Sequence, residues 1–310
     1  MDLLLLFAAA IEAGTPLLLA VLGEILTEKS GNLNLGVEGL MLIGAVTGFA
    51  TCFYSANLPL ALFAAALAGV VGALIYAVLT VTLRANQVVT GLALTIFGTG
   101  FASFVGSDLV GKSLADNIKT AIKPITLPIL SDIPYVGQTI FNQNIFVYIA
   151  LLLAVVVGIY IYRTRPGLNL RAVGENPASA DASGISVSLY KYVHILTGGA
   201  LCALGGAYLS VVRIPAWQDN VTSGRGWIAV ALVIVAGWNP FRAIYGVLLF
   251  GALDILGLYM QKFNIPISQY VISMFPYITT IVALIIFSIR RNNGYNPPSS
   301  LGNAYFREDR

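Results

Sequence analysis

Apolar stretches long enough to cross a lipid bilayer recur along this chain, near residues 3–23, 38–55, 58–83, 88–106, 144–162, 192–212, 226–238, 241–260 and 268–289. A helix rises about 1.5 Å per residue, so about 20 apolar residues match the ~30 Å hydrocarbon core. In lipid every backbone N–H and C=O must be bonded within the protein, and continuous apolar runs meet that need as helices. The expected fold is all-α: a polytopic transmembrane helix bundle of about nine spans, with eight to ten compatible with the run boundaries. The seventh run is short and shares a tight turn, GWNPFR (237–242), with the eighth.

Charge supports the same solvent. Only 10% of the residues are charged and the mean hydropathy is +0.83. A soluble domain carries about 25%, so this chain cannot cover a water-facing surface of its size. The net charge of +3 is spread out, with no basic patch for nucleic acid. The opening MDLLLLFAAA has no positive stretch before its apolar run and reads as a retained membrane segment. Cys52 and Cys202 lie in apolar runs and read as small buried hydrophobes.

Lys and Arg set the orientation. With the 163–191 loop and the C-terminus in the cytoplasm, the inner side holds Lys29, Arg84, Arg163, Arg165, Arg171, Lys191, Arg242, Arg290, Arg291, Arg307 and Arg310, eleven in all. The outer side holds six: Lys112, Lys119, Lys123, Arg213, Arg225 and Lys262. This puts the N-terminus outside. One transmembrane domain then covers 1–290, with an outer loop at 107–143, an inner loop at 163–191 and a cytoplasmic tail at 291–310. Small residues recur through the runs, as in GGALCALGGA (198–207), and allow close helix packing.

One motif points elsewhere. GSDLVGKS, Gly106 to Ser113, matches the phosphate-loop pattern G-x-x-x-x-G-K-[ST]. A working phosphate loop follows a buried strand and opens a helix. Here an apolar span precedes it, a proline-bearing loop follows, and the charge rule puts it outside. It reads as a chance match. His194, the single histidine, reads as packing or interfacial, and no nucleophile–base or metal constellation stands out. The chain reads as a non-enzymatic membrane protein.

The loop RTRPGLNLRAVGENPASADASGISVSLYK (163–191) is the longest polar inner connection. It contains a compact helix with both ends marked. Asn176 can cap the start and Pro177 suits the first turn. Ala178, Ser179, Ala180, Asp181, Ala182 and Ser183 make a slim rod, and Gly184 is placed for a left-handed stop. Two turns are unstable alone, so neighbours must hold it. Two readings fit: a loop helix resting on the bilayer, or a knob for a partner's groove.

RAVGENPASADASGIS resembles the coupling loop of ABC-importer permeases of the simple-sugar and nucleoside family, whose loops read close to GENPxAAxxxGI. Gly174, Glu175, Asn176, Pro177, Ala180, Gly184 and Ile185 match, and Ser179 stands where Ala is expected. The broader importer pattern E-A-A-x-x-x-G is met by Ala178, Ser179, Ala180 and Gly184 without its acidic first position. LGEILTEKSGNLNLGVEGLMLIGAVTGF (22–49) and SGRGWIAVALVIVAGWNPFRAIYGVLLFGALDIL (223–256) resemble the early and late segments of the same family. The GNLNLGVEG and GRGWIAVA runs look closest to its nucleoside branch, which depends on a basic membrane lipoprotein.

The resemblance implies a function and partners. The chain would be a permease subunit in a cell membrane, paired with a second permease, fed by an extracytoplasmic substrate-binding lipoprotein and driven by a cytoplasmic ABC ATPase. Arg171, Gly174–Ala180, Asp181, Gly184 and Ile185 would meet that ATPase. ATP would be bound by the partner, with no cofactor in this chain. A simple-sugar permease is the alternative within the class, and an ion-driven secondary transporter the alternative outside it.

The 24–38 segment sets Glu24, Glu28, Asn32, Asn34 and Glu38 among Gly31, Gly36 and Gly39, between two apolar runs. It reads either as a broken helix lining a path, since bent backbone is tolerated at membrane depth only against protein or a water-filled cavity, or as a cytoplasmic turn with solvated acids. Asn86, Gln87, Thr90 and Thr95, with Arg84, are further polar candidates for the path. Glu12 and Asp254 fall inside apolar runs, where a charge is costly and usually paired or functional.

Overall fold

A computed structural model describes residues 3–126, 136–262, 274–275, 277–282, 285 and 296–307. The run at 268–289 falls mostly outside the described residues, as do Arg290, Arg291 and Arg310. Within them the chain is helical: α1 (Leu3–Lys29), α2 (Val37–Ser55), α3 (Leu58–Ala77), α4 (Gln87–Gly106), α5 (Asp116–Ala121), α6 (Val136–Ile140), α7 (Ile145–Arg163), α8 (Arg165–Glu175), α9 (Pro177–Ala182), α10 (Val187–Ala207), α11 (Arg225–Val235) and α12 (Pro240–Lys262). A two-residue antiparallel pair, Ile125–Thr126 with Asn142–Gln143, is the extended element among them.

Seven helices among the described residues are long and apolar enough to cross a membrane. Their outward faces carry large apolar side chains, including Phe63, Ile96, Phe104 and Leu152, each more than half exposed. Such a belt suits lipid contact, and the chain is a multi-pass membrane protein. α11 differs from the expected seventh span. Its 11 residues extend about 16 Å, roughly half the hydrocarbon thickness.

α10 is the hub, packed against α1, α2 and α3. Its small residues let neighbouring backbones touch it. A Cβ on Gly206 would lie 1.8 Å from the Met41 carbonyl oxygen of α2, closer than any atom pair tolerates. α3 and α10 each end in a π-helical turn, Val78–Thr82 and Tyr208–Arg213. Such turns arise where the regular helical ladder is interrupted.

The phosphate-loop look-alike has no phosphate-loop geometry. Gly106 ends α4 against the Trp217 indole, Lys112 lies over the Phe53 ring, and Ser113 bridges to Ala216. His194 is buried, bonded to the Tyr160 hydroxyl and the Tyr190 carbonyl, and Cys52 and Cys202 are buried and free.

Candidate functional site

The α1–α2 connection is bent backbone inside protein. Glu24, Glu28, Asn32, Asn34 and Glu38 are all at most 5% exposed, so the reading of solvated acids on a turn is not what the fold presents. Residues 30–36 run along α4 and draw hydrogen bonds from three helices. Gln87 accepts the Leu33 amide at 2.7 Å, and Tyr76 donates its hydroxyl to the Leu33 carbonyl at 2.6 Å. Glu24 accepts the Asn34 amide at 3.2 Å, and Thr95 donates to the Leu35 carbonyl at 2.9 Å. Asn34 turns back to accept the Gly36 amide. From Gln87 to Thr95 the α4 axis advances about 12 Å, so α2 starts well inside the bundle. Side chains supply the bonds that helix geometry would otherwise provide, the condition for irregular backbone at membrane depth.

α11 also starts inside the bundle. The Glu38 carboxylate, in the first turn of α2, accepts the Thr222 hydroxyl at 2.5 Å and the Gly224 and Gly226 amides at 2.9 and 2.6 Å. One buried carboxylate therefore satisfies free donors at the start of α11 while sitting at the start of α2. Both helix N-termini carry partial positive charge, and a carboxylate suits both. At the other end of α11 the Trp238 indole donates to Glu28.

The expected path residues thus divide. Asn34, Gln87 and Thr95 hold the 30–36 segment, with Asn32 inside it and Glu38 joining α2 to α11. Thr90 bonds within its own helix to the Asn86 carbonyl. Asn86 is exposed and caps α4 through the Val89 amide. The Asn32 amide group and one Glu24 oxygen are buried with no hydrogen-bond partner among the described residues.

Two charges behave differently from loop charges. Arg213 and Arg225 both meet Asp254, at 2.9 and 3.1 Å, and are 16% and 20% exposed. Arg213 ends the π-helical turn after α10 and Arg225 opens α11, and Asp254 of α12 offers both a carboxylate. Glu12 is half-buried and its carbonyl accepts the Tyr208 hydroxyl.

At the end of the bundle bearing Gly31, α8 and α9 form a bent pair. The Asn176 side chain accepts the Ser179 amide at 3.0 Å, with Pro177 as the first helical residue. Gly184 has φ +81°, and the Ile185 amide closes onto the Ala180 carbonyl at 3.0 Å. These are the caps the letters call for. Ala180 faces a small core with Val173 and Val187, while Ala178, Ser179, Ala182, Ser183 and Gly184 stay exposed. A slim, small-faced rod is held from below. α8 was not expected as a helix. Its signal is Thr164, whose hydroxyl accepts the Gly167 amide, followed by Pro166 in the first turn. Arg171 stands over the Tyr162 ring.

Gly174 joins this pair to the bent segment. A Cβ there would sit 2.2 Å from the Lys29 carbonyl oxygen, so only glycine lets α8 end against the end of α1. Sequence reasoning missed what completes the junction: Ser300 donates its amide and hydroxyl to the Gly174 carbonyl at 3.0 and 2.6 Å.

Comparison with known proteins bears on this arrangement. The chain matches the family described as branched-chain amino acid transport system / permease component over residues 6–287. It is 37% identical to the putative glucose ABC transporter permease protein TsgC13 of Haloferax volcanii, over 98% of each chain. It is 34% identical to the guanosine ABC transporter permease protein NupQ of Bacillus subtilis, over 89% of each. It is 32% identical to the nucleoside ABC transporter permease protein NupC of Lactococcus lactis, over 88% of this chain and 89% of the relative. Its relatives include two guanosine permease proteins of Bacillus subtilis, NupQ and NupP, and two nucleoside permease proteins of Lactococcus lactis, NupC and NupB. No solved structure matches. The chain belongs to this permease family, as an ABC transporter permease of the simple-sugar and nucleoside type.

Proposed function

We propose that this chain carries nucleosides into the cell as one of two permease subunits, with α8–α9 on the cytoplasmic side gripped by a separate ABC ATPase. A binding lipoprotein delivers cargo at the opposite face, the end of the bundle bearing Lys112. The chain sits in the cytoplasmic membrane with its N-terminus outside and its 296–307 segment inside. The carrying observation is the doubly capped α9, presenting a small exposed face while Gly174 ties α8 directly to the bent 30–36 segment. Closure of the ATPases pushes α9, and the junction passes that movement to the segment where α2 begins inside the bundle. That is the geometry alternating access needs. The path runs past this segment, and the buried Asn32 amide, without a hydrogen-bond partner among the described residues, is the group we assign to polar cargo. A carboxamide both donates and accepts, which suits ribose hydroxyls and base edges.

Glucose is the second reading, favoured by the 37% identity to a permease named for that sugar. Nucleosides are preferred because the GNLNLGVEG and GRGWIAVA runs, which build the Glu38 junction, resemble the nucleoside branch. Reconstitution with a candidate ABC ATPase, second permease and binding lipoprotein separates the readings. ATP-dependent uptake of labelled nucleoside, without glucose or ribose uptake, is expected. Sugar uptake alone would replace the cargo, and uptake driven by a proton or sodium gradient without the ATPase would end the proposal.

A further inference from the structure

Residues 296–307 lie far in sequence from the turn after α1 and from α4, α8 and α9, yet bond to all four. Ser299 donates its hydroxyl to Glu175 at 2.7 Å, at the end of α8. Ser300, 8% exposed, bonds twice to the Gly174 carbonyl. The Gly302 amide reaches the Gly31 carbonyl at 3.2 Å, at the turn that ends α1. The Asn303 carbonyl accepts from Gln87, the same side chain that holds the Leu33 amide. Tyr305 donates to Asp181 of α9 at 3.0 Å and packs against the small core beneath α9, and Arg307 meets the same carboxylate at 3.1 Å. Phe306 lies under the Arg84 guanidinium.

This pattern has a mechanical consequence. A six-residue helix has too few internal bonds to be stable alone, so α9 moves with whatever holds it. Its supports are α8, the start of α10 and the 296–307 segment. The last of these also grips Gly31 and the residue that holds Leu33, both at the base of the bent segment. A displacement of α9 therefore reaches Gly31 at 3.2 Å and Gln87 at 3.5 Å through polar contacts on a route separate from α10.

We propose that residues 298–307 form a clasp that transmits movement of α9 to the bent 30–36 segment, with Ser300, Tyr305 and Arg307 as positioning residues for transport. This rests on the reading of α8–α9 as the ATPase-facing helices. The clasp is distinct from a lid that only stabilises the fold, because it links two parts that must move together. Its loss should therefore lower transport per ATP hydrolysed, whereas loss of a lid would lower both rates together.

The test uses the complete transporter in proteoliposomes, measuring nucleoside uptake and ATP hydrolysis side by side. Two variants remove the clasp: the full-length Tyr305→Phe/Arg307→Ala pair, and a chain ending at Asn296. Arg307→Lys is the conservative control. The expected result for the full-length pair is ATPase co-purification and hydrolysis near the parent's, with uptake per ATP lower by about fivefold or more. The truncated chain should fall at least as far, and Arg307→Lys should stay near the parent. If the truncated chain does not assemble, the full-length pair decides alone. Uptake per ATP unchanged in the full-length pair would overturn the clasp, whether both rates hold or both fall. Gly184→Val tests the underlying reading separately. If that variant keeps the parent's ATP-dependent uptake and ATPase co-purification, α9 is not the ATPase-facing helix; if it loses either while the clasp variants keep the parent's uptake per ATP, only the clasp fails.

Discussion

Glu38 of α2 accepts the backbone amide of Gly226 of α11 at 2.6 Å, joining two residues 188 positions apart at the point where two helices begin. The same carboxylate takes the Gly224 amide and the Thr222 hydroxyl. Two helix starts inside an apolar bundle leave several amides without helical partners, and water is not at hand to take them. One acidic side chain, itself in the first turn of α2, accepts three donors at the start of α11. This explains why a carboxylate, at 5% exposure, sits in an otherwise apolar stretch.

Replacing Glu38 tests that account. Glu38→Ala strands three donors, two of them buried and one partly buried, and is expected to cost about 3 kcal/mol or more. Glu38→Gln keeps one acceptor oxygen but places an NH2 group near amides that also donate, so it should fall between parent and alanine. Thermal unfolding in detergent, with all three proteins purified alike, reads the order. Equal midpoints for parent and alanine variant would show that Glu38 does not hold the α2–α11 junction.

The packing of α10 makes a contrasting pair of predictions. A Cβ on Gly206 would meet the Met41 carbonyl at 1.8 Å, whereas a Cβ on Gly100 meets nothing within 4 Å. Gly206→Ala should destabilise by about 1–3 kcal/mol through forced separation of α2 and α10. Gly100→Ala, in an open position of α4, should shift stability by less than about 1 kcal/mol, upward through helix propensity. Similar losses in both would mean that helix contact is not what Gly206 serves.

What was legible in the sequence was local. Apolar runs marked the long helices because their length is set by the bilayer. Asn176, Pro177 and Gly184 marked the ends of α9 because capping is a property of a few adjacent residues. The crowding of Glu24, Asn32, Asn34 and Glu38 among glycines pointed to a bent segment, but two readings remained open there. What decides between them is contact with Tyr76, Gln87 and Thr95, which lie tens of residues away. Asp254 stood out as a charge in an apolar run, yet Arg213 and Arg225 were counted only among the outer-side charges, because nothing local links them to it. The Ser300–Gly174 junction left no trace at either end: serine in a polar tail is ordinary until the fold brings Gly174 to it.

The Arg213–Asp254–Arg225 group should behave as a unit. Both guanidiniums bond the same carboxylate oxygen. Asp254→Ala leaves two largely buried cations without their shared acceptor and should cost about 1–3 kcal/mol. Arg225→Ala should cost less, because Arg213 still neutralises Asp254. The double variant should be more stable than the sum of the single losses allows, since contacting residues do not add. A double-mutant cycle on thermal unfolding in detergent measures the difference. Strict additivity would mean that the Arg225–Asp254 contact contributes nothing to stability.

The stop of α9 offers a prediction in which space and backbone can be separated. Gly184 has φ +81°, yet a Cβ there would touch nothing within 4 Å. Any loss on substitution must therefore come from backbone strain. The left-handed conformation costs an ordinary L-residue about 1–2 kcal/mol, while asparagine tolerates it. Because α9 has only six residues, that strain is enough to depopulate its capped form by roughly fivefold to thirtyfold. Gly184→Asn should transport close to the parent level, and Gly184→Val should lose uptake by a factor in that range while still reaching the membrane. ATP-dependent uptake with a surface-level control reads both. If valine is as good as asparagine, the left-handed stop does not matter for transport.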